Sequence, residues 1–288
     1  MDLDRRKFLK VIGITSLSLA IGKDIKAEDT KVNKEFNGVL YDASRCKGCH
    51  GCEYDCSEAN SLPEPAIIDE DAPPRKTDET RRTVVNKFET SKGPVFTKIQ
   101  CMHCNEPACV AACLTQAMYK TPEGAVIWRE DKCMGCRYCM ISCPFDSPKF
   151  EYHSPNPKIE KCSMCFETRI SQGEIPACAE NCPNDALLFG NRRELISEAR
   201  RRIYESPDQY IEHIYGEHEA GGTCWLYISP VPFKELGMNT KLQKESYPAL
   251  TKGFLYSVPS IFVLVPALLL GIQQATKINI LPKENEDE

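Results

Sequence analysis

Sixteen of the 17 cysteines in this 288-residue chain fall into four groups of four, and this spacing constrains the fold more than any other feature. The most regular group is Cys133-Met134-Gly135-Cys136-Arg137-Tyr138-Cys139-Met140-Ile141-Ser142-Cys143-Pro144. In a C-x2-C-x2-C-x3-C-P run, three thiolates wrap one 4Fe–4S cube and the fourth belongs to a neighbouring cube. The other groups are variants of that run. The first is Cys46-x2-Cys49-x2-Cys52-x3-Cys56, with Ser57 where the proline would stand. The second is Cys101-x2-Cys104-x4-Cys109-x3-Cys113, followed by Leu114. The fourth is Cys162-x2-Cys165-x12-Cys178-x3-Cys182-Pro183.

Other chemistries use cysteine-rich chains. Disulfide frameworks belong to small secreted domains and rarely repeat one spacing four times. Structural zinc prefers separated x2 pairs and is the competing metal reading. Net charge is −5 with no long basic block, which argues against a nucleic-acid partner.

The crossing of the fourth cysteine predicts how the quartets pair. Quartets two and three are adjacent in the chain and form an inner pair; one and four form an outer pair. The expected ligand sets are Cys46, Cys49, Cys52 with Cys182; Cys162, Cys165, Cys178 with Cys56; Cys101, Cys104, Cys109 with Cys143; and Cys133, Cys136, Cys139 with Cys113. That makes four 4Fe–4S clusters. His103, inside a complete quartet, is expected to be a hydrogen-bonding neighbour rather than a ligand. Cys224 is expected to be a buried apolar filler. Arg137, beside two ligands, is expected to raise its cluster's potential by its charge.

Strands are expected at Gly38 to Tyr41, Val95 to Ile99, Ala125 to Trp128, Ala186 to Gly190 and Thr223 to Ile228. The polar, proline-bearing stretch 57–92 reads as an inserted surface excursion or a docking surface. Asn191 caps an expected helix to about Tyr204, with Leu195, Ile196, Ala199 and Ile203 on one face and Glu198 and Arg202 on the other.

The ends of the chain point to a membrane. Asp4-Arg5-Arg6-Lys7-Phe8-Leu9-Lys10 and the apolar run after it read as a twin-arginine-type signal over 1–27. That route carries folded cargo, which suits a protein loaded with cofactors before export. Gly253 to Ile272 is uncharged and long enough for one spanning helix despite Pro259 and Pro266. The expected division is a signal at 1–27, a cluster domain at 28–190, an extension at 191–252, a transmembrane helix at 253–275 and a polar tail at 276–288.

Over roughly residues 36 to 275 the four quartets resemble the four-cluster, ferredoxin-like electron-transfer subunits of membrane-bound respiratory oxidoreductases. Tyr215 to Thr223 also resembles a segment of that family. With both Arg5-Arg6-Lys7-Phe8-Leu9 and the helix after Lys252, the chain looks most like the iron–sulfur subunit of the periplasmic hydrogenase-2 type. The resemblance implies an α+β fold of tandem, pseudo-two-fold bacterial-ferredoxin-like units with inserted loops and one C-terminal transmembrane helix. It implies a nickel–iron hydrogenase partner, an integral membrane quinone-site subunit, and a place on the periplasmic face of the inner membrane. A formate dehydrogenase or another molybdenum enzyme is the alternative partner. No catalytic site is expected in the chain itself.

Overall fold

A computed structural model describes residues 35–66, 69 and 72–278. The twin-arginine-type segment and the end of the polar tail lie outside the described residues.

One local pattern occurs four times: a strand, a cysteine loop, then a short helix. Strand β1 (Asn37–Asp42) leads into the first quartet, and α1 (Gly51–Ala59) carries Cys52 and Cys56. The hairpin β2 (Val84–Thr90) and β3 (Gly93–Ile99) leads into the second, and α2 (Ala108–Ala111) carries Cys109. Strands β4 (Met118–Lys120) and β5 (Val126–Trp128) pair, and β5 leads into the third quartet with α3 (Tyr138–Ser142). Strands β6 (Lys149–Phe150) and β7 (Ile159–Glu160) pair, and β7 leads into the fourth with α4 (Ala177–Glu180).

Strand β8 (Leu187–Asn191) then returns to β1, pairing antiparallel, while β9 (Trp225–Ile228) flanks β1 on the other side in parallel. The approach at the start of β1 is close: a Cβ on Gly38 would stand 2.4 Å from the Cys224 carbonyl oxygen. Strand β1 is buried on both faces. Val39 and Tyr41 face a core with Trp225, Tyr227 and Tyr215, and Leu40 faces a second core under α5 (Arg192–Glu205).

Helix α5 starts as its cap residue dictates, with Asn191 Oδ1 accepting from Arg193 N (3.0 Å). Leu195 and Ala199 are buried against Leu226 and Ile228. Glu198 and Arg202 pair at 2.7 Å, but Arg202 does not stay on the solvent face. Its guanidinium turns inward to the buried Asp42 at the end of β1 (3.0 Å), which also accepts from Tyr210 Oη (2.8 Å).

Helix α6 (Tyr247–Ile278) passes through Pro259 and Pro266 and is long and apolar enough to cross a membrane over Tyr247–Gln274. Twenty-eight residues span about 42 Å. The apolar side chains from Phe254 to Ile272 are exposed along it. Its base is tied to the second quartet: α2 packs against α6, and Ser246 Oγ donates to Glu106, between Cys104 and Cys109.

Candidate iron–sulfur centres

In every quartet the last two cysteines are four residues apart: Cys52 and Cys56, Cys109 and Cys113, Cys139 and Cys143, Cys178 and Cys182. The first of each pair lies on the short helix, so its partner follows one turn later on the same side. The leading cysteines sit in loops with a recurring backbone twist. The residue before the second cysteine is left-handed in all four: Gly48 (φ 68°), His103 (φ 49°), Gly135 (φ 71°) and Met164 (φ 57°). The third residue after the fourth cysteine is left-handed in three: Gln116 (φ 57°), Asp146 (φ 51°) and Asp185 (φ 49°). For residues with a Cβ this conformation costs roughly 1–2 kcal/mol each. It is repeated because alternating helical hands turn successive N–H groups into one concavity, which suits an anionic sulfur cage.

Donors do meet sulfur. Met164 N lies 3.3 Å from Cys162 Sγ, and Met118 N lies 3.4 Å from Cys113 Sγ. Asn60 Nδ2 bridges Cys56 Sγ (3.8 Å) and Cys165 Sγ (3.7 Å), a contact between quartets one and four. Two cavities are bordered by sulfur. One has Cys46, Cys49, Cys52 and Cys182 on its walls, with Tyr41 and His50. The other has Cys56, Cys162, Cys165 and Cys178, with Lys98 and Trp225.

For the inner quartets, electrostatics reports the neighbours. Burial first, then the charges of Cys101, Cys143 and Cys109, push the Cys104 thiol well above its ordinary range. Burial, then Cys113, Cys133 and Cys136, push Cys139 up to about 11. Each of the two cavities joins three cysteines of one outer quartet to the last cysteine of the other. Among the described residues no three His, Cys, Asp or Glu side chains converge on a point suited to a single metal ion. Burial likewise drives Cys109 and Cys162 up to about 12, so bare thiols there would hold their protons at neutral pH. A cationic iron–sulfur core is the group that stabilises thiolates in such a place. The residues fit 4Fe–4S clusters.

His103 is fully buried, and its Nδ1 accepts from Val126 N (2.8 Å). Burial, then the charges of Lys161 and Lys120, hold its imidazole well below the usual range, so the ring is neutral and braces β5 against the second quartet. Cys224 is buried in the main apolar core, as expected, and its sulfur also meets polar groups. Lys120 Nζ donates to its sulfur (3.3 Å), and Gly124 O lies 3.5 Å away. It stands outside the four quartets. Arg137 is exposed, with its guanidinium over the rings of Phe150 (5.4 Å) and Tyr152 (5.8 Å).

Two charged groups that motif reading passes over lie buried beside the outer quartets. Glu53, directly after Cys52, is buried and accepts from Arg75 Nη2 (2.6 Å) and Nη1 (2.9 Å) and from Val85 N (2.7 Å). Burial alone would raise this carboxyl, but His50, Arg75 and Val85 outweigh it and hold it below the usual range. Lys98 on β3 is also buried, beside the second cavity. No sequence motif marks either group. The available signal is a pair of adjacent polar residues, Thr97 and Lys98, in a strand whose other positions are largely apolar.

Comparison with known proteins follows the same lines. The 4Fe–4S dicluster domain family matches residues 94–192. A protein of Nitratidesulfovibrio vulgaris is 43% identical over 96% of this chain and 77% of its own length. The hydrogenase-2 operon protein HybA of Escherichia coli O157:H7 is 32% identical over 96% of both chains. The iron–sulfur subunit of the nitrate-inducible formate dehydrogenase of Escherichia coli K12 is 31% identical over 72% of this chain and 69% of its own. The chain therefore belongs to the family of 4Fe–4S electron-transfer subunits of respiratory oxidoreductases.

Proposed function

We propose that the chain carries four 4Fe–4S clusters and relays electrons between an extracytoplasmic nickel–iron hydrogenase and an integral membrane quinone-site subunit. The observation that carries this is the crossed meeting of quartets, joined to a match with a hydrogenase-2 operon protein over nearly the whole of both chains. The ligand sets are Cys46/Cys49/Cys52/Cys182, Cys56/Cys162/Cys165/Cys178, Cys101/Cys104/Cys109/Cys143 and Cys113/Cys133/Cys136/Cys139. The repeated strand, loop and helix, with the same left-handed residues, supports tandem pseudo-two-fold units.

When bound, the clusters supply reversible one-electron storage; the polypeptide supplies spacing and insulation. Electrostatic coupling between neighbouring cysteines supports a row of the four sets. Cys52 of the first set feels Cys178 of the second, Cys162 of the second feels Cys101 of the third, and Cys109 of the third feels Cys139 of the fourth. The row ends in exposed thiols, Cys49 at one end and Cys136 at the other. Because the third set is tied to the base of α6, the Cys136 end lies toward the membrane subunit, and the Cys49 end toward the catalytic partner. Exposed Leu114, Met134, Tyr138 and Ile141 around the Cys136 end support a partner there. The twin-arginine-type sequence and the apolar helix support a cluster body on the periplasmic face.

The test is isolation of the tagged full chain from membranes. A nickel–iron hydrogenase and a membrane subunit should come with it, and dihydrogen should bleach the cluster absorbance of the complex. Bleaching by formate but not by dihydrogen moves the assignment to the formate dehydrogenase branch. Zinc without iron and acid-labile sulfide overturns the cluster reading.

A further inference from the structure

A cation lies buried at the wall of one outer cluster seat, within electrostatic reach of the other, with no carboxylate to balance it. Lys98 is 1% exposed. Its Nζ donates to Thr83 Oγ1 and to Gln100 Oε1 (3.2 Å), and it lies 4.9 Å from the centroid of the Trp225 ring. Every one of these partners is neutral. Among the described residues no Asp or Glu pairs with it. A buried ammonium without a counter-ion is costly and ordinarily sheds its proton. Here the opposing charges it feels are the sulfurs of Cys178, Cys52, Cys162 and Cys56, three of which share a cavity wall with it. Those sulfurs come from both outer sets, Cys52 from the first and the other three from the second. Lys98 also forms part of the wall of the second cavity.

We propose that Lys98 is the fixed counter-charge of the two outer clusters, a positioning residue whose buried ammonium favours their reduced state and raises both reduction potentials. The proposal rests on the four-cluster reading. Thiolate-bound cubes are anionic, and each reduction adds a further negative charge at the cube. An ammonium held in a dry site stabilises that added charge far more than an exposed cation does. The step moves only an electron, supplied by the catalytic partner or the neighbouring cluster. No bond forms or breaks, and Lys98 keeps its proton. Within reach of two seats, one charge acts on both, so the outer pair behaves as a local electron well at the donor end of the row. Arg137 makes the contrast: it neighbours two ligands of the fourth set, but its charge lies in water and is screened.

The test is a redox titration of the isolated full complex, followed by electron paramagnetic resonance. The outer-cluster signals are assigned by their loss in Cys56→Ala and Cys182→Ala variants. Lys98→Met should lower the equilibrium constant for reduction of both outer clusters about tenfold, about 59 mV for a one-electron couple. Inner-cluster potentials should move much less, and Lys98→Arg should restore wild-type values. Unmoved outer potentials in Lys98→Met, or an equal fall in Lys98→Arg, overturns the proposal. If Lys98→Met fails to load the outer clusters, Lys98→Arg decides. Loaded clusters at wild-type potentials support the counter-charge; empty or shifted ones overturn it. A wild-type complex without outer-cluster signals refutes the four-cluster reading instead, before any variant is made.

Discussion

Arg75→Met should open the first quartet's support by a measurable amount. Arg75 belongs to the polar excursion between quartets one and two, and its guanidinium grips Glu53 through two hydrogen bonds of 2.6 and 2.9 Å. The Glu53 side chain is 1% exposed, and that of Arg75 is 19%. Removing one member of a buried ion pair leaves an uncompensated charge and costs about 3–5 kcal/mol. At about 1.4 kcal/mol per factor of ten, the open state should rise roughly 140- to 4,000-fold. The Val85 amide is a built-in reporter, because it donates to Glu53 at 2.7 Å rather than to solvent. Hydrogen exchange at the peptide holding Val85, read by mass spectrometry on the intact complex, should speed up by that factor. Glu53→Gln combined with Arg75→Met leaves no buried charge, so the double variant should exchange more slowly than Arg75→Met alone. Wild-type exchange at Val85 in Arg75→Met, or a double variant worse than the two single effects combined, would refute the charge argument.

Three further outcomes follow from the geometry. Cys56→Ala should expose Cys162, Cys165 and Cys178 to alkylation while Cys46, Cys49 and Cys52 stay protected with Cys182; labelling of the first three cysteines instead means that the quartets do not cross. Gly48→Ala should lose about a quarter of the iron and sulfide, because φ is +68° and the new Cβ would stand 2.2 Å from the Phe96 ring. Gly135→Ala, at φ +71° with no atom within 4 Å, should cost only about 1–2 kcal/mol and keep its iron, so equal iron contents in the two variants would count against the steric account. Leu264→Arg, near the middle of α6, should cost about 2.5–3.5 kcal/mol of membrane insertion and shift the chain, expressed without partners, toward the soluble fraction; unchanged resistance to carbonate extraction would refute the spanning role.

The quartets were legible because thiolate spacing is a local code. A gap of two residues closes a loop around one cube, and a gap of three closes one helical turn, wherever the chain goes next. Strands β1, β3, β5, β8 and β9 announced themselves by apolar runs beside those loops. Strands β4, β6 and β7 did not, since two or three residues carry no period. The charged network was hidden for a different reason. Arg75 and Glu53 are 22 residues apart, and nothing in either neighbourhood says that a polar excursion folds back to bury an ion pair. Lys98 carries little sign of burial in its own stretch of sequence, and only the position of Trp225, far along the chain, shows that it is inside. Arg202 was legible only in part: helical spacing put it with Glu198 and that pair forms, but a second partner, Asp42 on β1, turns it inward.

The central position of β1 also sets a clock for biosynthesis. Its antiparallel partner β8 begins about 145 residues later, and its parallel partner β9 later still. At roughly 5–20 residues per second, the first strand and its cysteines leave the ribosome on the order of ten seconds before either neighbour exists. Quartets two and three emerge close together. The nascent chain can thus finish its middle while its beginning waits.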